Sequence, residues 1–165
     1  MKINQQKTPQ LEKLGALIKE ARIGMLTTVE SDVTALRSRP LATAALDDEP
    51  ALWFLTSMSS PKGDDIDEES HVCVSYAHNN QFVSVSGKAS FVRDRAKIAD
   101  LWTPIAKVWF PKGVEDPDLA ALKVAIHSAE YWEGPVTTVT KLFAMAAALV
   151  TGNQRALGED VKISA

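Results

Sequence analysis

Between Ile23 and Val92 the chain is cut into segments too short for helices and too closely spaced for crossovers. Ile23–Val29, Ala35–Leu46, Ala51–Leu55, Val72–Tyr76 and Phe82–Val92 are apolar and β-branched stretches, each closed by Ser, Asp, Asn, Gly or Pro. Such clusters terminate strands. Antiparallel neighbours need only a short turn, whereas a parallel pair needs a connection of roughly a dozen residues or more. An antiparallel sheet or barrel is therefore expected, not an alternating strand–helix layer. His78-Asn79-Asn80 reads as the tight turn between the last two strands. One stretch breaks the pattern: Ser60–Glu69 opens Ser-Pro-Lys and turns acidic, which suits the start of a helix.

Helical periodicity flanks this block. Thr8 and Pro9 form a cap and first turn; Leu11, Leu14, Leu17, Ile18 and Ala21 then recur at helical spacing, and Gly24 follows closely. Asp94 caps a second helix carrying Ile98, Leu101, Trp102 and Ile105. Asp116-Pro117 opens a short turn with Leu119 and Leu122, and Lys123–Trp132 reads as the final strand. The Ala-rich stretch Thr138–Thr151, ended by Gly152, predicts a last helix, and the tail from Asn153 is expected to fray. The expectation is one domain over 1–165: a helix at about 8–22, a barrel over about 23–132 and a helix at about 138–151.

Composition narrows the function classes. With 18 Lys+Arg against 21 Asp+Glu the net charge is −3, so no basic field is available for a nucleic-acid backbone. The longest apolar run, Leu142–Val150, is far below the ~18 residues of a bilayer span, and the first ten residues are polar. No membrane partner and a cytoplasmic location are expected. Cys73 stands alone between Val72 and Val74 and reads as a buried, inert thiol. His71, His78 and His127 have no metal-ligand spacing, so no metal site is expected. No dinucleotide or phosphate-loop glycine pattern is present, and no side chain stands out as catalytic.

Two segments point to an anion. In Leu36-Arg37-Ser38-Arg39-Pro40, strand alternation turns both guanidiniums to one face and Ser38 to the other. Two adjacent guanidiniums need an anion or a carboxylate between them, and their forked donors match phosphate oxygens. A solvated edge pairing with carboxylates would satisfy them equally. The second segment, Thr56-Ser57-Met58-Ser59-Ser60-Pro61-Lys62, leaves an apolar strand through hydroxyls into a helix start. Helix N-termini attract phosphate, and a first-turn lysine opposes the helix dipole unless an anion compensates. Together two Arg, one Lys and several hydroxyls fall within about 25 residues, a set suited to a dianionic phosphate ester. Trp53, Phe54, Phe82, Trp102 and Trp132 could pack in the core or flank a flat ring.

With these residues in view the chain resembles the FMN-binding split-barrel superfamily. It is similar to pyridoxamine 5′-phosphate oxidase and most similar to the general stress protein 26 branch. The matching blocks are GMLTT (24–28), LRSRPL (36–41), LWFLTSMSSPK (52–62), FVSVSGKA (82–89), DRAKIADLW (94–102), KVWFPKG (107–113) and AEYWEGP (129–135), in the expected order. The resemblance implies a mainly β fold with flanking α-helices, a six-stranded antiparallel split β-barrel. It also implies a homodimer holding two FMN molecules in the subunit interface.

Carried over by position, Arg39 matches the arginine that reaches the FMN phosphate, within the block Arg37, Ser38, Arg39, Pro40 and Leu41. Leu55 and Thr56, followed by Ser57, match the stretch along the isoalloxazine and ribityl chain, and Ser60 and Lys62 match the phosphate-holding serine and lysine. Phe82 stands where the oxidases place a glutamine, and Trp132 matches a tryptophan lent by the second subunit. The resemblance thus has Arg39 and Lys62 converge on one phosphate. Pro61 replaces an arginine of the oxidases, a loss that Arg37 could offset. The oxidases' Arg-x-His substrate clamp is also missing, since Glu133–Met145 contains neither Arg nor His, so oxidation of pyridoxamine 5′-phosphate is not expected. Three readings share the site: a flavin-dependent oxidoreductase of undefined substrate, served by a small-molecule or nicotinamide electron donor; a flavin-sequestering or sensing stress protein without turnover; and a binder of haem, a bilin or a deazaflavin.

Overall fold

A computed structural model of the chain describes residues 1–29, 35–59, 70–134 and 159–164. Its elements are β1 (Lys2–Ile3), α1 (Pro9–Ala21), β2 (Ile23–Val29), β3 (Leu36–Leu46), β4 (Ala51–Ser57), β5 (Ser70–His78), β6 (Gln81–Val92), α2 (Arg95–Leu101), β7 (Leu119–Glu133) and β8 (Glu159–Ser164). Six strands run in the order β3-β2-β5-β6-β7-β4, and β4 returns to β3. Every one of these pairings is antiparallel, so the sheet closes into a six-stranded barrel.

Alternation decides what fills it. Leu26, Leu52, Phe54, Val74, Val85, Leu122 and Val124 are completely buried on the inner face. α1 closes the core by adding Leu11, Leu14, Leu17 and Ile18 to the same cluster. Burying each such Leu or Ile contributes about 1.5–3 kcal/mol. The helix starts as its sequence requires: the Thr8 side chain accepts a hydrogen bond from the Leu11 N–H and Pro9 occupies the first turn. It ends at Ala21, within the expected span. Arg22, at φ 62°, turns the chain and returns its N–H to the Ile18 carbonyl. Gly24 lies inside β2, where a Cβ would fall 2.7 Å from Val74 and 2.8 Å from the Tyr76 ring. That glycine serves packing. The hairpin between β5 and β6 is the expected tight turn: Asn79 and Asn80 have φ of 45° and 65°, the left-handed pair of a two-residue loop whose twist matches its strands.

Other boundaries moved. The last strand expected from Lys123 begins at Leu119, and the Asp116-Pro117 turn follows a short 3-10 segment at Gly113–Glu115. α2 ends at Leu101, since Pro104 restricts Thr103 before it. Ile105 therefore lies in a separate 3-10 turn, Pro104–Val108, where Ile105, Val108 and the adjoining Trp109 are exposed. The polar first residues and the tail both supply strands: β1 pairs in parallel with β3, and β8 pairs with β7. Backbone ladder bonds hold both, and Ile3, Val161 and Ile163 add their side chains to the core. The helices expected at 60–69 and 138–151 lie outside the described residues.

α2 covers a second cluster outside the barrel, built from Ala45, Trp53, Ile98, Leu101, Leu119 and Ala121, with Leu55, Trp102 and Phe110 packed against it. One polar knot fastens the helix. The Trp53 indole N–H donates to Asp47 Oδ2 at 2.6 Å. Lys97 Nζ lies 3.1 Å from the same oxygen and 4.1 Å from the Trp53 ring centroid.

Candidate functional site

The barrel wall opens between β3 and β4. β3 and β4 pair at Thr43↔Phe54, Ala45↔Trp53 and Leu46↔Leu52, and there the ladder stops. Beyond it Leu36–Ala42 pair only with β2, and Leu55–Ser57 pair with β7. Continuing the register would set Leu41 against Thr56 and Arg39 against Met58, but the strands have parted. The result is a split with two backbone edges as lips: residues 36–42 on one side and 55–57 on the other.

The lips carry most of the residues singled out in the sequence. Arg37 and Arg39 share the face of β3 that also carries buried Leu41, so both cations stand at the barrel mouth. Arg39 is half-buried, and its Nη1 donates to Thr28 Oγ1 at 2.9 Å; Thr28 is itself buried on the next strand. Ser38 faces the other way, its Oγ 2.7 Å from Thr27 Oγ1, and Pro40 is exposed on that outer side. Across the split, Thr56 is buried. Leu55 sends its side chain into the cluster under α2, so the backbone edge of Leu55–Thr56 is what faces the opening. Inside the barrel, burial pushes the Tyr76 hydroxyl well above the ordinary tyrosine range, partly offset by its 2.9 Å hydrogen bond with Thr43.

Sequence reasoning missed Asp118. This residue holds the exit of β4. Its Oδ1 accepts the Ser59 N–H at 2.8 Å, its Oδ2 accepts the hydroxyls of Ser59 (2.9 Å) and Ser57, and its carbonyl accepts the Met58 N–H at 2.8 Å. The Ser57 hydroxyl, then the Ser59 N–H and hydroxyl, hold its carboxyl below the usual carboxylate range. The only local signal was Asp116-Pro117-Asp118 as a turn, and no spacing rule links a turn to hydroxyls about 60 residues earlier.

Four expected members stand apart from the split or outside the described residues. Phe82 and Trp132 are directly opposed on β6 and β7, both exposed on the barrel's outer face. Going around the wall from Arg39, β6 lies three strand spacings away, at ~4.8 Å each. Ser60 and Lys62, and with them the meeting of Lys62 and Arg39, lie outside the described residues. Of the remaining aromatics, Trp53 and Phe54 are buried and Trp102 packs under α2. Cys73 is half-buried rather than buried, within 3.5 Å of Ser84 Oγ on the outer face. His71, His78 and His127 are exposed on the outside of the barrel and none lines the split. Among the described residues no group of three His, Cys, Asp or Glu could hold a metal ion.

The model of one family, described as pyridoxamine 5′-phosphate oxidase like, matches residues 9–156. The chain belongs to that family. The pyridoxamine 5′-phosphate oxidase-like assignment covers α1 and the whole barrel. Protein bli-3 of Neurospora crassa is 28% identical over 166 residues, spanning 94% of this chain and 79% of that protein. A Jannaschia sp. CCS1 structure assigned to general stress protein 26 superposes with a TM-score of 0.73 at 22% identity, over 94% of this chain and 98% of the other. The general stress FMN/FAD binding protein of Xanthomonas citri gives a TM-score of 0.69 at 24% identity, over 79% and 93%. These likenesses carry the split-barrel fold. Among the described residues no helix is long and apolar enough to cross a membrane.

Proposed function

We propose that this chain is a flavin-binding protein of the general-stress type, that its ligand is FMN, and that it works as a homodimer. The observation that carries the reading is the split itself: two guanidiniums on one face of β3 stand where the β3–β4 ladder stops. Like charges so placed suit a dianionic group, and the planar fork of Arg matches its oxygens. Thr28 holds the Arg39 guanidinium from the neighbouring strand, so the cation is oriented before any ligand arrives. The flavin-binding name of the Xanthomonas citri protein, which shares the fold, supports the same ligand class.

The dimer rests on the outer face. Ile23, Met25, Val29, Leu36, Phe82 and Trp132 are exposed there around the small side chains of Thr27, Cys73, Ser75, Ser84 and Ser86. A flat apolar face of this extent marks an interaction surface. A two-fold axis through it would set Phe82 and Trp132 of both subunits in the interface.

Bound flavin supplies the redox chemistry, and the protein supplies binding and orientation. The binding test uses two ligands. Arg39→Ala should weaken FMN, read by quenching of flavin fluorescence, by roughly 10–100-fold, the worth of a charge-assisted hydrogen bond. Riboflavin, which lacks the phosphate, should bind wild type and variant alike. Equal loss of both ligands, or no binding of FMN by wild type, refutes the reading. Anaerobic bleaching of the flavin by NADH or NADPH, followed by acceptor-dependent reoxidation, identifies an oxidoreductase; a flavin that no donor reduces identifies a carrier or sensor.

A further inference from the structure

The flavin lip formed by β4 is held by one residue on another strand's approach. We infer that Asp118 is a positioning residue for the site, fixing the course of Ser57–Ser59 so that the Leu55–Thr56 edge is presented to the ligand in one geometry. The inference deepens the flavin reading and rests on it.

The chemistry of the contact is specific. Four donors converge on Asp118: the hydroxyls of Ser57 and Ser59 and the backbone N–H groups of Met58 and Ser59. Three of them go to the carboxylate, whose two oxygens have acceptors for all three. Asp118 is in turn held on both sides. Its N–H donates to Asp116 Oδ1 at 3.0 Å. Arg95, at the start of α2, places Nη1 within hydrogen-bond range of the carbonyls of Val114 (3.1 Å), Asp116 (3.0 Å) and Leu119 (3.4 Å). A path of hydrogen bonds thus runs from α2 through the 114–119 segment to the exit of β4. Past Ser57 that exit has no ladder partner among the described residues, so these bonds set its position. Ser57 and Ser59, two hydroxyls of the run that leaves β4, are thus engaged with a carboxylate.

The test separates positioning from stability and from the flavin reading. In Asp118→Ala, FMN should bind about tenfold more weakly or worse, while the melting temperature of the flavin-free protein stays within about 3 °C. Amide exchange at Met58 and Ser59 should accelerate in the flavin-free variant. Asp118→Asn, which keeps one acceptor for the Ser59 N–H, should recover part of the affinity. Adding Ser59→Ala to Asp118→Ala should cost nothing further, since the partner is already gone. Affinity within twofold of wild type in Asp118→Ala, or unchanged exchange at Met58 and Ser59, overturns the inference. If Asp118→Ala does not fold, Asp118→Asn and Ser59→Ala carry the same readouts. Should wild type fail to bind FMN, the flavin reading falls, and the exchange rates still decide whether Asp118 fixes the segment.

Discussion

Two single residues show how little room the barrel leaves. Gly24 is required because Val74 and Tyr76 occupy the space a Cβ would enter. Gly24→Ala should therefore lower stability by about 1–3 kcal/mol through overpacking, measured by urea unfolding. The substitution gains backbone rigidity, so a stability equal to wild type would mean that the Tyr76 ring gives way freely. Asp118 offers a second test, now through pH. Its folded-state carboxyl sits below the ordinary value, so the stabilisation it provides is present above the unfolded value of about 3.9 and is lost as pH falls through the lower, folded one. Protection of the Ser59 amide, corrected for the intrinsic exchange rate, should hold from neutral pH down to about pH 4 and disappear only in more acidic solution.

At the scale of elements, the contact to test is that between α2 and the barrel. Asp47 accepts from the buried Trp53 indole and pairs with Lys97, whose ammonium also lies over the Trp53 ring. Asp47→Ala leaves a buried indole N–H without its acceptor, which costs about 1–3 kcal/mol. Its thermal midpoint should fall, and exchange in residues 95–101 should rise more than in the core strands. These elements differed in how far they could be read. β2 and the core of α1 follow from alternation and helical spacing, since their buried faces are dictated by local pattern. β1 and β8 do not, because each is short and holds only through its pairing with β3 or β7 and the few side chains it adds to the core. The end of α2 and the early start of β7 depend on Pro104 and on pairing with β4, neither of which changes the apolar pattern.

For the whole molecule, the exposed outer face and the split make one prediction together. Met25→Glu places a charge at the centre of that face, where Met25 is 40% exposed. It should halve the mass measured by light scattering and abolish FMN binding, while the isolated chain keeps its fold, because the inner core is untouched. A monomer that still binds FMN at wild-type affinity would show that Phe82 and Trp132 take no part.

What the amino-acid order determined by itself was local: which stretches extend, which turn, which face of β3 carries Arg37 and Arg39, and that the Thr56–Ser59 hydroxyls follow an apolar strand. Alternation and capping act over a few residues, so such features are written where they occur. Tertiary structure decided the rest. The split exists because a ladder stops between Thr43/Phe54 and the strand ends, and a missing backbone pairing leaves no mark on side-chain pattern. The same holds for Thr28 beneath Arg39, and for Asp118 against the exit of β4. Each is a contact between segments far apart in the chain, and only closure of the barrel brings them within hydrogen-bonding distance.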